Sequence, residues 1–209
     1  TNHTQSVLLA SSLEVYGTIT DDSTPLTEEA QGYLDPMAVR SSYPMAKRAA
    51  ETLCHDYAKE YGTHAKVARL AQTFGAGVAQ DDTRVFAQFA RSIIKGEDIV
   101  MHTKGELCRS YCYTTDAIAA MLYILLRGKD GEAYNVANET TYISIKDMAT
   151  FLTETFNPRV KVVVELKDNM GYSPTTKLRL STDKVRQLGW TPQYDLQEMF
   201  HRLIESLKQ

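Results

Sequence analysis

A short apolar run, Ser6-Val-Leu-Leu-Ala10, is followed at a distance by a helical segment and then by a second apolar run, Lys66-Val-Ala-Arg-Leu-Ala71. Continuous apolar runs of this length suit strands buried on both faces of a parallel sheet, not the alternating strands of a half-wet antiparallel one. The helix between them starts at Ser41-Ser42 and tolerates Pro44 in its first turn. Ala46, Ala49, Ala50, Leu53, Tyr57 and Ala58 then recur at helical spacing until Gly62 stops it. Strand, helix, strand in that order is a right-handed crossover, which commits the chain to the α/β class.

Beyond residue 75 the pattern is less regular. Residues 84–95 read as an amphipathic helix closed by Gly96, and 98–103 and 106–113 as two strands around a turn at Lys104-Gly105. A helix from Thr115-Asp116 to Gly128 precedes a strand at Ala133-Tyr-Asn-Val-Ala137. Ser144 and Asp147 form a variant capping box, residues 160–166 a β-branched strand, and Asp195 with Glu198 the cap of a final helix. The expected layout is a parallel α/β part over 1–75 and a smaller mixed α+β part over 76–209. The stretch of about 114–137 returns to the first sheet.

Composition narrows the partners. The chain has 209 residues, 43% hydrophobic and 23% charged, with a net charge of −3, so there is no basic excess to neutralise the phosphates of a nucleic acid. The most apolar stretch, 117–126, is far short of the roughly 20 residues a bilayer requires, so no membrane partner is expected. Three cysteines, Cys54, Cys108 and Cys112, have no metal-type pairing and point to a reducing, cytoplasmic compartment. Cys108 and Cys112 fall in one strand at a spacing that turns both to one face, as buried thiols.

The chemistry is carried by Tyr43 and Lys47, four residues apart on one helix and so able to meet on one face. A nearby ammonium favours a phenolate, which brings a tyrosine into range for general base catalysis, and lysine can also donate to a ribose. The spacing alone is weak, because Tyr142 and Lys146 repeat it. What distinguishes the first pair is Ser11-Ser12-Leu13-Glu14-Val15-Tyr16-Gly17 at the end of the first strand. Ligands of open α/β sheets lie beyond the carboxyl ends of strands, so Ser12 can share the oxygen that Tyr43 deprotonates.

Five segments in order extend the pattern along nearly the whole chain: Ser-Ser-x-x-Val-Tyr-Gly, Tyr43-Pro-Met-Ala-Lys47-Arg-Ala-Ala-Glu, Ala68-Arg-Leu-Ala-Gln-Thr-Phe-Gly75, Arg109-Ser-Tyr-Cys-Tyr-Thr-Thr-Asp116, and Leu188-Gly-Trp190 with Pro192. Together they resemble the extended short-chain dehydrogenase/reductases, the NAD-dependent epimerases and dehydratases of nucleotide sugars. The resemblance implies a Rossmann-like parallel sheet, with a smaller mixed α+β domain for substrate. It implies catalytic roles for Ser12, Glu14, Tyr43 and Lys47, and contacts to the cofactor, NAD rather than NADP, from Ser11, Tyr43, Lys47 and Ala71. Gln72 stands where the family usually has asparagine. Arg109 and Arg179 match arginines that grip the diphosphate of a nucleotide-diphosphate sugar, and Arg84 is a further candidate for that pocket. A homodimer through the Tyr43–Lys47 helix, using Leu53, Tyr57 and Tyr61, is also implied.

Two departures matter. The family's glycine-rich pyrophosphate loop is missing, and Gly75-Ala-Gly77 is no substitute. The expectation is a chain that forms roughly the C-terminal two-thirds of a longer protein and that, alone, binds NAD poorly or not at all. Between Ser12 and Tyr16 the family's dehydratases and decarboxylases keep a polar residue and a glutamate; here Leu13 replaces the first and Glu14 keeps the second. Glu14 tilts the reading from a 4-epimerase towards a 4,6-dehydratase. Gly77 stands where decarboxylases have an arginine, which disfavours decarboxylation. A nucleotide-sugar decarboxylase, an NADPH-dependent carbonyl reductase and a truncated, non-catalytic nucleotide-sugar-binding relative stay open as alternatives.

Overall fold

The computed structural model describes residues 4–167 and 175–209. Strand β1 (Val7–Ser12) runs into a 3-10 turn at Leu13–Tyr16, and after a long loop helix α1 spans Ser42–Tyr61. Gly62 ends α1 in the left-handed conformation, and β2 (Ala65–Leu70) follows, parallel to β1 with Val7 opposite Ala65 and Ser11 opposite Arg69. The third strand of this sheet is β6 (Ala133–Val136), giving the order β1-β2-β6, all parallel, with Arg69 opposite Asn135. Helix α3 (Thr114–Arg127) leads into β6 and packs Ala117, Ala120 and Ile124 on Ala68, Tyr134 and Val136. The opposite face carries α1.

At Ala71 the chain leaves this sheet. Strand β3 (Gln72–Phe74) pairs instead with β5 (Cys108–Tyr113), which also pairs antiparallel with β7 (Asn138–Ser144) and parallel with β9 (Lys177–Leu178). Strand β5 alternates between two interiors. Tyr111 and Tyr113 enter one with Phe74, Phe86 and Phe200, while Cys112 enters the other under α3. The first interior is closed by helices α2 (Val85–Lys95), α4 (Ile145–Phe156) and α6 (Leu196–Leu207), while the short α5 (Asp183–Arg186) packs Val185 into the other. Ser144 Oγ accepts from the Asp147 N–H at 3.0 Å, and Asp195 Oδ1 from that of Glu198 at 2.8 Å, so both expected helix caps are present. Among the described residues no helix is long and apolar enough to cross a membrane.

Several expectations change. The strands β4 (Ile99–Met101) and β5 do not fold back on each other. β4 pairs in parallel with β8 (Val162–Val164), because the carbonyls of Gly105 and Leu107 accept from Lys146 and Ile145 at the start of α4 and divert the chain. Strand β1 is not buried on both faces, since Val7 is 44% exposed, and among the described residues it pairs with β2 alone. The apolar stripe of α1 faces outward, with Leu53 and Tyr57 58% and 54% exposed. What α1 turns to the sheet and neighbouring loops is polar. Arg48 donates to the carbonyls of Val15 and Gly32 at 2.7 and 2.9 Å, and the His55 ring lies 2.9 Å from the Gly131 carbonyl.

The two cysteines of β5 also part company, because a register shift between Arg109 and Tyr111 interrupts the alternation. Cys112 is wholly buried, and burial pushes its thiol up to about 12. The thiolate is the reactive form, so at about pH 8 iodoacetamide labels Cys112 only after unfolding. A native-state adduct detected by mass spectrometry contradicts this.

Gly17 closes the turn that follows Ser12. Its φ is +70°, and a Cβ there would meet the Tyr33 carbonyl oxygen at 2.5 Å. Gly17→Ala is therefore expected to lower stability by about 1–3 kcal/mol, read from the denaturant midpoint.

Candidate active site

Ser12 ends β1 and caps the 3-10 turn, its Oγ accepting from the Glu14 N–H at 3.2 Å. Within the turn Leu13, Val15 and Tyr16 are buried, which leaves Glu14 as its half-exposed residue. Above the strand, Lys47 reaches down from α1 and donates from Nζ to the Ala10 carbonyl at 2.8 Å, two residues before Ser12. The same Nζ lies 5.7 Å from the ring centroid of Tyr43, one turn nearer the start of the helix. Tyr43 is half-exposed, so its phenol is open to a ligand. Lys47 thus ties the Tyr43 turn of α1 to the carboxyl end of β1.

The remaining candidates occupy the border between the two main sheets. Ala71 is buried at the crossing, its N–H on the Val136 carbonyl at 2.9 Å, and Gln72 opens β3 opposite Tyr111. Arg109 is buried on β5 and donates to the carbonyls of Cys108 and Thr176 at 2.8 and 3.0 Å. Among the described residues it forms no ion pair. Burial therefore pulls its guanidinium below the ordinary arginine range, against the opposing pull of Tyr111 and Glu14. A buried cation held only by carbonyls retains strong affinity for an anion. Arg179 follows β9, whose Leu178 is paired with Arg109, and is exposed. Arg84 differs, because Asp82 already holds it at 2.5 Å and its guanidinium lies over the Phe86 ring.

Ser11 turns the other way: it is buried, and its Oγ donates to Glu51 Oε1 at 2.5 Å, leaving its hydroxyl engaged beneath α1. The second Tyr–Lys pair is separated by structure. Tyr142 lies in β7 with its hydroxyl on Asp22 at 2.8 Å, while Lys146 belongs to α4, so their spacing is not helical. A cleft of about 800 Å³ lies on the α1 side of the sheet, lined by Glu28, Arg48, Glu51, His55, Arg69 and Lys184 among others. It does not include Ser12, Tyr43 or Lys47.

Sequence reasoning passed over Glu51, Arg69 and Asn135. The available signal was a charged residue, Arg69, in the middle of an apolar strand, which demands a buried partner.

The chain is 31% identical over 192 residues to UDP-glucuronic acid decarboxylase 5 of Arabidopsis thaliana, covering 92% of this chain and 54% of that protein. Against UDP-glucuronic acid decarboxylase 1 of Xenopus tropicalis the identity is 28%, covering 95% and 46%. The chain thus spans about half the length of the curated relatives it matches. UDP-glucose 4-epimerase of Thermotoga maritima, solved with UDP-glucose, superposes with a TM-score of 0.82 at 22% identity, over 99% of this chain and 64% of that one. The dTDP-glucose 4,6-dehydratase of Bacillus anthracis, in complex with NAD, gives 0.78 at 17% identity, over 97% and 61%. These two likenesses show the α/β, Rossmann-like fold. The profile of the NAD dependent epimerase/dehydratase family matches residues 1–137, well over half of the sequence, and the chain belongs to that family.

Proposed function

We propose that the whole protein oxidises the 4-hydroxyl of a nucleotide-diphosphate sugar, with NAD as cofactor, as a 4,6-dehydratase or a 4-epimerase. The single observation that carries this reading is the Lys47 bridge, which holds the Tyr43 turn over the strand end that bears Ser12. The donor set fits a nicotinamide riboside: a half-exposed phenol, and an ammonium with one N–H on Ala10 and two left for a ribose diol. NAD, when bound, supplies the acceptor for the hydride of the sugar carbon. Tyr43 takes the hydroxyl proton, and Ser12 hydrogen-bonds the same oxygen. Glu14 removes the proton beside the new ketone, the step that separates loss of water from simple inversion. Arg109 and Arg179 grip the diphosphate, with Gln72 and Arg84 at the border of that pocket.

Residues 1–75, with 114–137, form the later part of the dinucleotide-binding domain in this reading, and the rest of 76–209 binds substrate. The protein is cytoplasmic. It dimerises through α1, whose exposed Leu53, Tyr57 and Tyr61 supply an apolar stripe.

A second reading, decarboxylation of a nucleotide-linked uronic acid, is favoured by the named curated relatives. Gly77 stands against it. Its φ of +84° is a backbone conformation an arginine would adopt only under strain, so the family's decarboxylase arginine has no ready place there.

The test is a panel of UDP- and dTDP-sugars with the full-length protein and NAD, followed by NMR. A 4-keto-6-deoxy product identifies a dehydratase and an inverted C4 an epimerase. A pentose with carbon dioxide identifies a decarboxylase, and binding without turnover a non-catalytic relative.

A further inference from the structure

Ser11, Arg69 and Asn135 stand opposite one another on β1, β2 and β6, forming one polar row across these three strands. Ser11 and Asn135 are 4% and 0% exposed, and the Arg69 side chain 15%. Two side chains join the row from above. Glu51, from α1, accepts from Ser11 Oγ at 2.5 Å and from Arg69 Nε and Nη2 at 3.1 and 2.8 Å. Tyr16, from the 3-10 turn, accepts from Arg69 Nη1 at 3.1 Å and donates to Asn135 Oδ1 at 2.6 Å. Burial pushes the Tyr16 phenol up to about 12, so it keeps the proton it donates. Asn135 spends its amide donors on the carbonyls of Leu26 and Ser181, both at 3.0 Å.

The two ends of this series lie at the two halves of the site. At one end is α1, which carries Tyr43 and Lys47, with Ser11 next to Ser12. At the other, Leu26 and Ser181 bracket Arg179: the Leu26 N–H lies 2.7 Å from the Arg179 carbonyl, and the Ser181 N–H 2.9 Å from that of Leu26. We propose that Glu51, Arg69, Tyr16 and Asn135 are positioning residues, a polar brace that fixes the separation between the proton-transfer helix and the segment bearing Arg179. The proposal rests on the roles given above to Tyr43 and Arg179. Its physical basis is directionality. Apolar contacts tolerate sliding, whereas a buried series with its donors matched to acceptors has one register. A substrate held by its diphosphate at one end and by its 4-hydroxyl at the other is sensitive to that register.

The test uses Glu51→Gln and Asn135→Ala, singly and together, in the full-length protein. Each single variant is expected to lower kcat by about 10–100-fold, the scale of a reacting group misplaced by an ångström, while the Kd for nucleoside diphosphate stays within about threefold. The double variant is expected to be no worse than the poorer single, since a brace cut once is already slack. Independently of turnover, Asn135→Ala is expected to speed hydrogen exchange at Leu26 and Ser181 and also in the first turns of α1, with α6 unaffected. Losses that multiply, an unchanged kcat in Asn135→Ala, or unchanged exchange in α1 would each overturn the brace. If the unsubstituted protein turns over no nucleotide sugar, the proposed function fails and the exchange result alone decides the brace.

Discussion

Replacing Tyr43 by phenylalanine in the full-length protein is expected to lower kcat by about 10²–10⁴-fold, the range for loss of a general acid–base group, with the fold intact. The fold is spared because the ring is half-exposed and its hydroxyl makes no hydrogen bond among the described residues. Lys47 is anchored on the Ala10 carbonyl and does not depend on that hydroxyl. The change in unfolding free energy is therefore expected within about 0.5 kcal/mol, as for a surface substitution. Tyr142→Phe provides the control: its spacing to a lysine is the same, but it bonds Asp22 from a strand, and turnover is expected to stay within about threefold. Pre-steady-state reduction of NAD, followed by absorbance, distinguishes the two. A Tyr43→Phe protein with more than a tenth of normal activity shows that another group takes the proton.

The largest expected loss of stability comes from Trp190. It is 2% exposed, packs under α3 with Ile124, Tyr134 and Val185, and donates from Nε1 to the Asp116 carbonyl at 3.0 Å. The Asp116 carboxylate in turn accepts from the N–H groups of Gln193 and Tyr194 at 2.9 and 3.1 Å, so the stretch leading to α6 is held at both ends. Trp190→Ala opens a large cavity in this interior and is expected to cost about 3–5 kcal/mol. Trp190→Phe keeps most of the packing but leaves the Asp116 carbonyl without its donor, a loss of about 1–3 kcal/mol. Urea unfolding of the two variants checks the order. Equal losses would mean that the hydrogen bond, and not the volume, carries the site.

The elements with strong local signals were legible in the sequence. α1 begins at Ser42 and ends before Gly62 because serine, proline and glycine each act within a turn of themselves. β2 and β6 declared themselves as apolar runs. β7 did not, since Asn138-Glu-Thr-Thr lacks both an apolar run and a clean alternation, and it exists because β5 supplies a partner far away in sequence. The same reason hid the separation of β4 from β5: pairing partners as distant as Ile99 and Val162 leave no trace in a local window. At the site, Ser12, Tyr43 and Lys47 could be named from spacing, but not which residues of α1 face the sheet. A helix whose apolar stripe faces outward reads like one whose stripe faces inward, and only the position of Arg48 and Glu51 over the sheet tells them apart.

The alternation of β5 has a mechanical consequence. Its tyrosines anchor the aromatic interior of α2, α4 and α6, while Cys112 seals the one beneath α3. Melting either region strips one face of this ribbon and loosens the other. Two regions that share a wall lose their structure together, so heat and denaturant should see one cooperative unit, and damage near Trp190 will be felt at Phe74 without any direct contact between them.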